Sequence, residues 1–216
     1  VSVIDRWLAR FWVSQRANVA MLLKRNAAAM ACYRELLALN PRDEVARSTL
    51  GNLLMESGDA AAAAAQFEEL VAINPANAEA WFNLGYIYEQ GERLDDAERC
   101  FRRAIELKPS IDRAWYGLGL VLIRSGRLRE AIAALKKNTQ LQPFSPYGFY
   151  QLAMTHHHLG ESGDAWRIYE HLKTFEPRYA ATLKRDMENT PPRGEAAPQS
   201  PPRTQPQTRE AHASAQ

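Results

Sequence analysis

The sequence holds no stretch of about 20 uninterrupted apolar residues, the length that a membrane-spanning helix needs. Its first segment, VSVIDRWLARFWVSQRANVAMLLKRN, is broken by Asp5, Arg6, Arg10 and Arg16. It has no charge-free apolar core ahead of a cleavage site. Both absences make the chain read as cytoplasmic. Net charge is also scarce: 27 Lys and Arg against 25 Asp and Glu leave +2. That excludes a polycation built to seek nucleic acid. A phosphate-binding loop, a paired-carboxylate motif and a nucleophile elbow are all missing. The expectation is a protein that is not an enzyme and needs no cofactor.

What is present is ordinary in bulk, with 46% hydrophobic and 24% charged residues among 216. The one asymmetry of charge is at the start, where residues 1–26 carry five basic residues and one acidic. The placement of proline is far from ordinary. Six of the twelve prolines follow residue 190, and five of the others are Pro41, Pro75, Pro109, Pro143 and Pro177, each 34 residues from the last. The stretch AWFNLGYIYEQGERLDDAERCFRRAIELKP (80–109) returns as AWYGLGLVLIRSGRLREAIAALKKNTQLQP (114–143). Trp81, Leu84, Gly85, Ala97 and Pro109 recur as Trp115, Leu118, Gly119, Ala131 and Pro143. A fixed period of this size is the mark of a solenoid. Within each period two apolar patterns of helical spacing are separated by a turn, placed at Gly91 in the third.

These residues resemble the tetratricopeptide repeat family, whose pattern W-x2-L-G-x2-Y…A-x3-F…P has this period. The resemblance implies an all-α, right-handed superhelical solenoid of about five helix-turn-helix repeats with a C-terminal capping helix. The division it suggests is an N-terminal extension (1–9), a degenerate first repeat (10–43), and repeats at 44–77, 78–111, 112–145 and 146–179. Arg47 stands where the second repeat should have an aromatic residue, and Arg16 and Ala17 replace the Leu-Gly pair of the first. Tyr179, Leu183 and Met187 form one apolar stripe on a polar helix, as a cap over residues 178–189 requires. Residues 190–216 are rich in Pro, Gln, Ala and Ser and are expected to be disordered. The PQSPPR stretch within them could bind as a polyproline helix.

First helices of such arrays line a concave surface that binds peptides. Carried over by repeat position, the resemblance puts Asn52, Phe82, Asn83, Tyr86, Arg113, Tyr116, Leu120, Ile123, Tyr147, Tyr150 and Met154 on it. Asn52, Asn83 and Arg113 also match the family variant that clamps a C-terminal carboxylate, while Ser48 and Gly117 stand where that variant has cations. The implied function is a non-catalytic scaffold that binds a peptide or helix of a partner protein. The alternative is a structural subunit that self-associates as a homo-oligomer through its N-terminal helix or its ends.

Three further features are read from the residues themselves. His156, His157 and His158 are adjacent, about 100° apart around a helix, so they do not share one metal ion. His156 takes a core aromatic position. Cys32 and Cys100 hold the same repeat position two repeats apart, too far for a disulfide, and are expected to be free thiols. Ile4, Trp7, Leu8 and Phe11 form a stripe beside Arg6 and Arg10. It suits a membrane-surface helix, but a cover for the open end of the array, or a contact with a second copy, is the favoured reading.

Overall fold

A computed structural model of the protein describes residues 3–192. Most of the Pro-rich tail, with PQSPPR, lies outside the described residues. Among the described residues there are eleven helices: α1 (Val3–Leu22), α2 (Asn26–Leu39), α3 (Glu44–Glu56), α4 (Ala60–Ile73), α5 (Ala78–Gln90), α6 (Leu94–Leu107), α7 (Asp112–Arg124), α8 (Leu128–Leu141), α9 (Pro146–His158), α10 (Ser162–Phe175) and α11 (Pro177–Asn189). No strand occurs among the described residues.

The period is visible in where helices begin. First helices α3, α5, α7 and α9 start at residues 44, 78, 112 and 146, and second helices α2, α4, α6, α8 and α10 start at 26, 60, 94, 128 and 162. The loops explain the spacing. The residue before each repeat proline, such as Asn40 (φ −145°, ψ 93°) or Lys108 (φ −144°, ψ 86°), leaves the helical region, as the clash with a following proline demands. Asp43, Asp59 and Asn77 then accept from the backbone N–H groups of Ala46, Ala62 and Ala80, opening α3, α4 and α5. The turn inside each pair needs one residue at positive φ. It is Gly58, Gly126 and Gly160 in three repeats, but Lys24 (φ 52°) and Glu92 (φ 60°) in the other two. In the third repeat the left-handed residue is therefore Glu92, one past the expected Gly91, whose φ is −83°.

Close approach within a pair rests on small residues. A Cβ at Gly85 would lie 2.9 Å from the Phe101 ring, and one at Gly119 2.7 Å from Leu135. Phe101 also fills the space over Gly117 of the next repeat, so one buried ring joins two units. A continuous core runs this way from Leu50 to Leu152. Residues of α9 and α10 form a further cluster with Ala180, Leu183 and Met187 of α11. The cap expected from the sequence is thus α11. It starts at Pro177, three residues earlier than the 34-residue spacing gives, with only Glu176 separating it from α10.

The first pair departs most from expectation. Its α1 is one continuous helix from Val3, so residues 3–9 are its opening turns. Its docked face is Val13, Ala17 and Ala20, which are buried. Arg10 pairs with Asp43 at 3.0 Å and Arg16 with Glu35 at 3.3 Å. Of the two packing roles expected for the stripe, a cover for the end of its own array is not what Trp7, Leu8 and Phe11 form. Trp7, Leu8 and Phe11 stay exposed, because they lie on the side of α1 turned away from the docked one. Trp7 and Phe11 stack on each other at 5.9 Å.

Candidate functional site

First helices touch across repeats, α5 with α7, α7 with α9 and α9 with α11. Contact between elements two apart in the chain puts the first helices on the inner, concave side, and the second helices on the outer side. The outer side is laced by ion pairs such as Arg127–Glu98 (2.7 Å) and Arg102–Glu130 (3.3 Å) between neighbouring repeats. The inner side is aromatic.

On the inner side Tyr86 and Tyr147 are exposed, 39% and 56%. Asn52 and Arg113 are exposed as well, and Phe82, Asn83, Tyr116, Leu120 and Tyr150 are half-buried. Ile123 and Met154, placed on this surface by repeat position, are instead buried. Ile123 belongs to the core that reaches Leu152, and Met154 lies under α11 with Leu183 and Met187. Neither offers a partner any surface.

The aromatic side chains are held by named neighbours. Arg113 lies over the Phe82 ring at 4.5 Å and pairs with Glu79 at 2.8 Å. Glu79 also takes Lys108 at 3.0 Å. The one cation left from the carboxylate-clamp pattern is thus engaged by a carboxylate that it shares with Lys108, and the other two cations of the pattern are absent, which leaves no multidentate carboxylate clamp. Arg124 pairs with Glu89 at 2.6 Å, with both side chains largely out of water, and ties α7 to α5. Tyr150 donates to Asp186 of α11 at 2.6 Å. Tyr147 and Tyr179 meet edge to face at 5.5 Å. Burial raises the pKa of Tyr116, partly offset by its hydrogen bond to Gln151. A hydrogen bond to Tyr147, then burial, pushes Tyr179 up to about 12. These hydroxyls therefore stay neutral donors at ordinary pH.

Tyr179 was missed as part of this surface. In the sequence it reads as the first member of the cap's stripe. The signal was the proline at 177, which starts α11 early and brings Tyr179 beside Tyr147 while it also packs against the cap cluster.

The histidines go separate ways. His156 is buried and its Nδ1 lies 2.6 Å from Glu161, in the place where Tyr88 of the third repeat donates to Glu68. The ring of His157 meets the backbone carbonyl of Thr190 at 2.6 Å. A grouping the sequence reading did not find is His156, Glu161 and Asp164, whose ligand atoms lie within 4.8 Å of one another. Its signal is a histidine followed five and eight residues later by carboxylates. Arg129 reaches Glu161 at 3.6 Å and Arg167 reaches Asp164 at 2.8 Å, so both carboxylates already face cations. Cys32 and Cys100 are buried free thiols. Burial pushes Cys100 up to about 11, which removes the thiolate that nucleophilic work needs.

Comparison with known proteins agrees with the helix pattern. Profiles of the family described as "Tetratricopeptide repeat" match residues 48–110 and 88–146, and residues 14–43. No curated protein matches in sequence. Among solved structures, a crystal structure of MamA protein superposes with a TM-score of 0.73 at 21% identity, over 80% of this chain and 94% of that one. YrrB, described as "a TPR protein with an unusual peptide-binding site", gives 0.69 at 22% identity, over 78% of this chain and 88% of its own. MamA 41-end from Desulfovibrio magneticus RS-1 gives 0.69 at 18%, over 82% and 96%. At these identities the likeness is one of fold.

Proposed function

The chain belongs to the tetratricopeptide repeat family, and on that premise we propose that it is a non-catalytic scaffold whose concave groove binds a peptide segment of a partner protein. The observation that carries this reading is an aromatic row that crosses α5, α7, α9 and α11, in which Tyr86 and Tyr147 are exposed and Phe82, Tyr116 and Tyr179 are half-buried beside them. Rows of this kind mark interaction surfaces. Tyrosine brings contact area and a hydroxyl at small entropic cost. The partner segment carries apolar or aromatic anchors, and does not depend on a free C-terminal carboxylate, because Arg113 is engaged by Glu79. YrrB, a relative in fold, is named for a peptide-binding site, which is consistent with this use of the groove.

The test is selection of a phage-displayed peptide library on the full chain, followed by calorimetry of the enriched peptides. Tyr86→Ala combined with Tyr147→Ala removes the two most exposed rings of the row. Circular dichroism checks that the variant stays helical. The expected outcome is binding weakened about tenfold or more, as loss of aromatic anchors gives. Equal affinity for both proteins would reject the groove.

A further inference from the structure

The two ends of the array are unlike. At the C-terminal end α11 turns Leu183 and Met187 inward and leaves Lys184, Arg185 and Glu188 to solvent. At the N-terminal end Trp12 and Val19 of α1 are 63% and 54% exposed. The 34-residue period says what that face is. The residues equivalent to Trp12 are Ala46, Ala80 and Ala114, and those equivalent to Val19 are Leu53, Ile87 and Val121. All six are between 0 and 7% exposed, because the second helix of the preceding pair packs on each of them. Leu53, for example, is buried with Ala29, Met30 and Tyr33 of α2. Each inner pair is stacked beneath such a helix, α2 on α3, α4 on α5, α6 on α7 and α8 on α9. Among the described residues, none packs on the same face of the pair α1–α2. Between its helices runs a groove of about 470 Å3 lined chiefly by the apolar parts of Trp12, Val19, Leu23, Ala28 and Ala31, with Arg16 and Arg25 beside them.

We infer that this groove is a second docking site, distinct from the concave one, and that it takes an amphipathic α-helix of another protein with an apolar stripe flanked by carboxylates. A groove between two helices fits a third helix. Its place is that of a second helix in the repeat, 14 residues long in α4 or α6. Trp12 replaces the small residue of its equivalents, so the incoming helix carries alanine or glycine opposite it. Charge selects the rest. Lys24 and Arg25 are exposed at this end of the array, and Arg16 beside the groove shares its charge with Glu35 at 3.3 Å. Two copies meeting through this face would set like charges against each other. The chain's own residues 193–216 contain no aliphatic residue beyond alanine and no aromatic one, so they do not supply the stripe.

The probe is a stapled, fluorescein-labelled 14-residue helix with a leucine stripe, one central alanine and glutamate on both flanks. Its control has lysine on the flanks. Fluorescence anisotropy is read against the full chain. The glutamate helix is expected to bind and the lysine helix not. Val19→Glu, at an exposed position, buries a charge against the stripe and weakens binding about tenfold or more. Lys24→Glu combined with Arg25→Glu reverses the preference between the two helices. Tyr86→Ala with Tyr147→Ala, in the concave groove, changes nothing, so failure here and failure of the proposed function are separable. Binding of neither helix, or binding untouched by Val19→Glu, overturns the inference. So does light scattering that shows a concentration-dependent dimer lost in Val19→Glu, which assigns the face to a second copy. Val19-dependent binding to vesicles of phosphatidylserine and phosphatidylcholine without helix binding also overturns it, and assigns the face to lipid.

Discussion

Glu92 and Gly126 hold the same turn position at φ 60° and 75°, and they give a controlled comparison of one backbone demand met by two residue types. A Cβ at Gly126 would touch nothing within 4 Å, so Gly126→Ala reports backbone strain alone. It is expected to cost about 1 kcal/mol in urea melts; no change would mean that the turn relaxes. Phe101 lies at the opposite extreme, 1% exposed and pressed over Gly85 and Gly117. Phe101→Ala is expected to cost about 3–5 kcal/mol by the same measurement, because it opens the contact within a pair and the contact between pairs together. Arg47 shows what a pattern can and cannot convey. It looks like a lapse from the aromatic consensus, yet its guanidinium donates to the Pro41 carbonyl at 2.6 Å, as the indoles of Trp81 and Trp115 donate to Pro75 and Pro109 at 3.0 and 2.9 Å. The hydrogen bond is kept while the residue type changes, and a sequence states only the type. Tyrosine protonation adds a dependence on pH. Tyr88 is pushed up to about 12 by burial and then by its bond to Glu68, and Tyr179 reaches about 12 as well. An unfolded chain releases these protons near pH 10, so the folded chain holds more of them above that. Their stabilising contribution is full below pH 10 and is lost as pH rises through 12. Melting temperature should fall over that window, and less steeply in Tyr88→Phe.

At the level of the element, the helices of repeats two to five were legible because their apolar spacing, turns and prolines all report the same period. The ends were harder. The residues of α1 that dock, Val13, Ala17 and Ala20, are small and scattered among other apolar residues, so the larger Trp7 and Phe11 draw attention to the wrong side. Met154 and Ile123 fit the groove by repeat position, and only the presence of α11 and the core that reaches Leu152 show that they are covered. The cap itself is testable. Ending the chain after Glu176 uncovers Ala153, Met154 and Leu172, all buried beneath or beside α11. The truncated protein is expected to melt lower and to bind a hydrophobic dye such as ANS. Tyr150→Phe, which removes only the bond to the Asp186 carboxylate, is expected to cost about 1.5–3 kcal/mol, the range for a hydrogen bond to a charged group. A truncation that leaves both melt and dye binding unchanged would show that α11 is not a cap.

For the whole molecule, stability follows from contacts between neighbours, and the core is not one body. A continuous core runs from Leu50 to Leu152, while Val13 with Cys32 and Leu36, and Ala20 with Ala29, form small clusters at the start. A linear array with unequal couplings loses its ends first. Hydrogen exchange should therefore be fastest in α1 and α2, and slowest in α5 to α8. Uniform protection from α1 to α11 would argue for a single cooperative unit. A peptide bound along the concave row, or a helix seated on α1, would each change a different part of that profile.

The identical spacing of helix starts from Glu44 to Pro146 has one more consequence. Any two cuts made one period apart leave matching joints. Duplicating or deleting residues 78–111 would lengthen or shorten the array by one helix pair without altering the contacts made at α1 or α11. Such a chain is a ruler with interchangeable divisions: the span between its open end and its closed end can be reset in whole steps while the chemistry at both ends is kept.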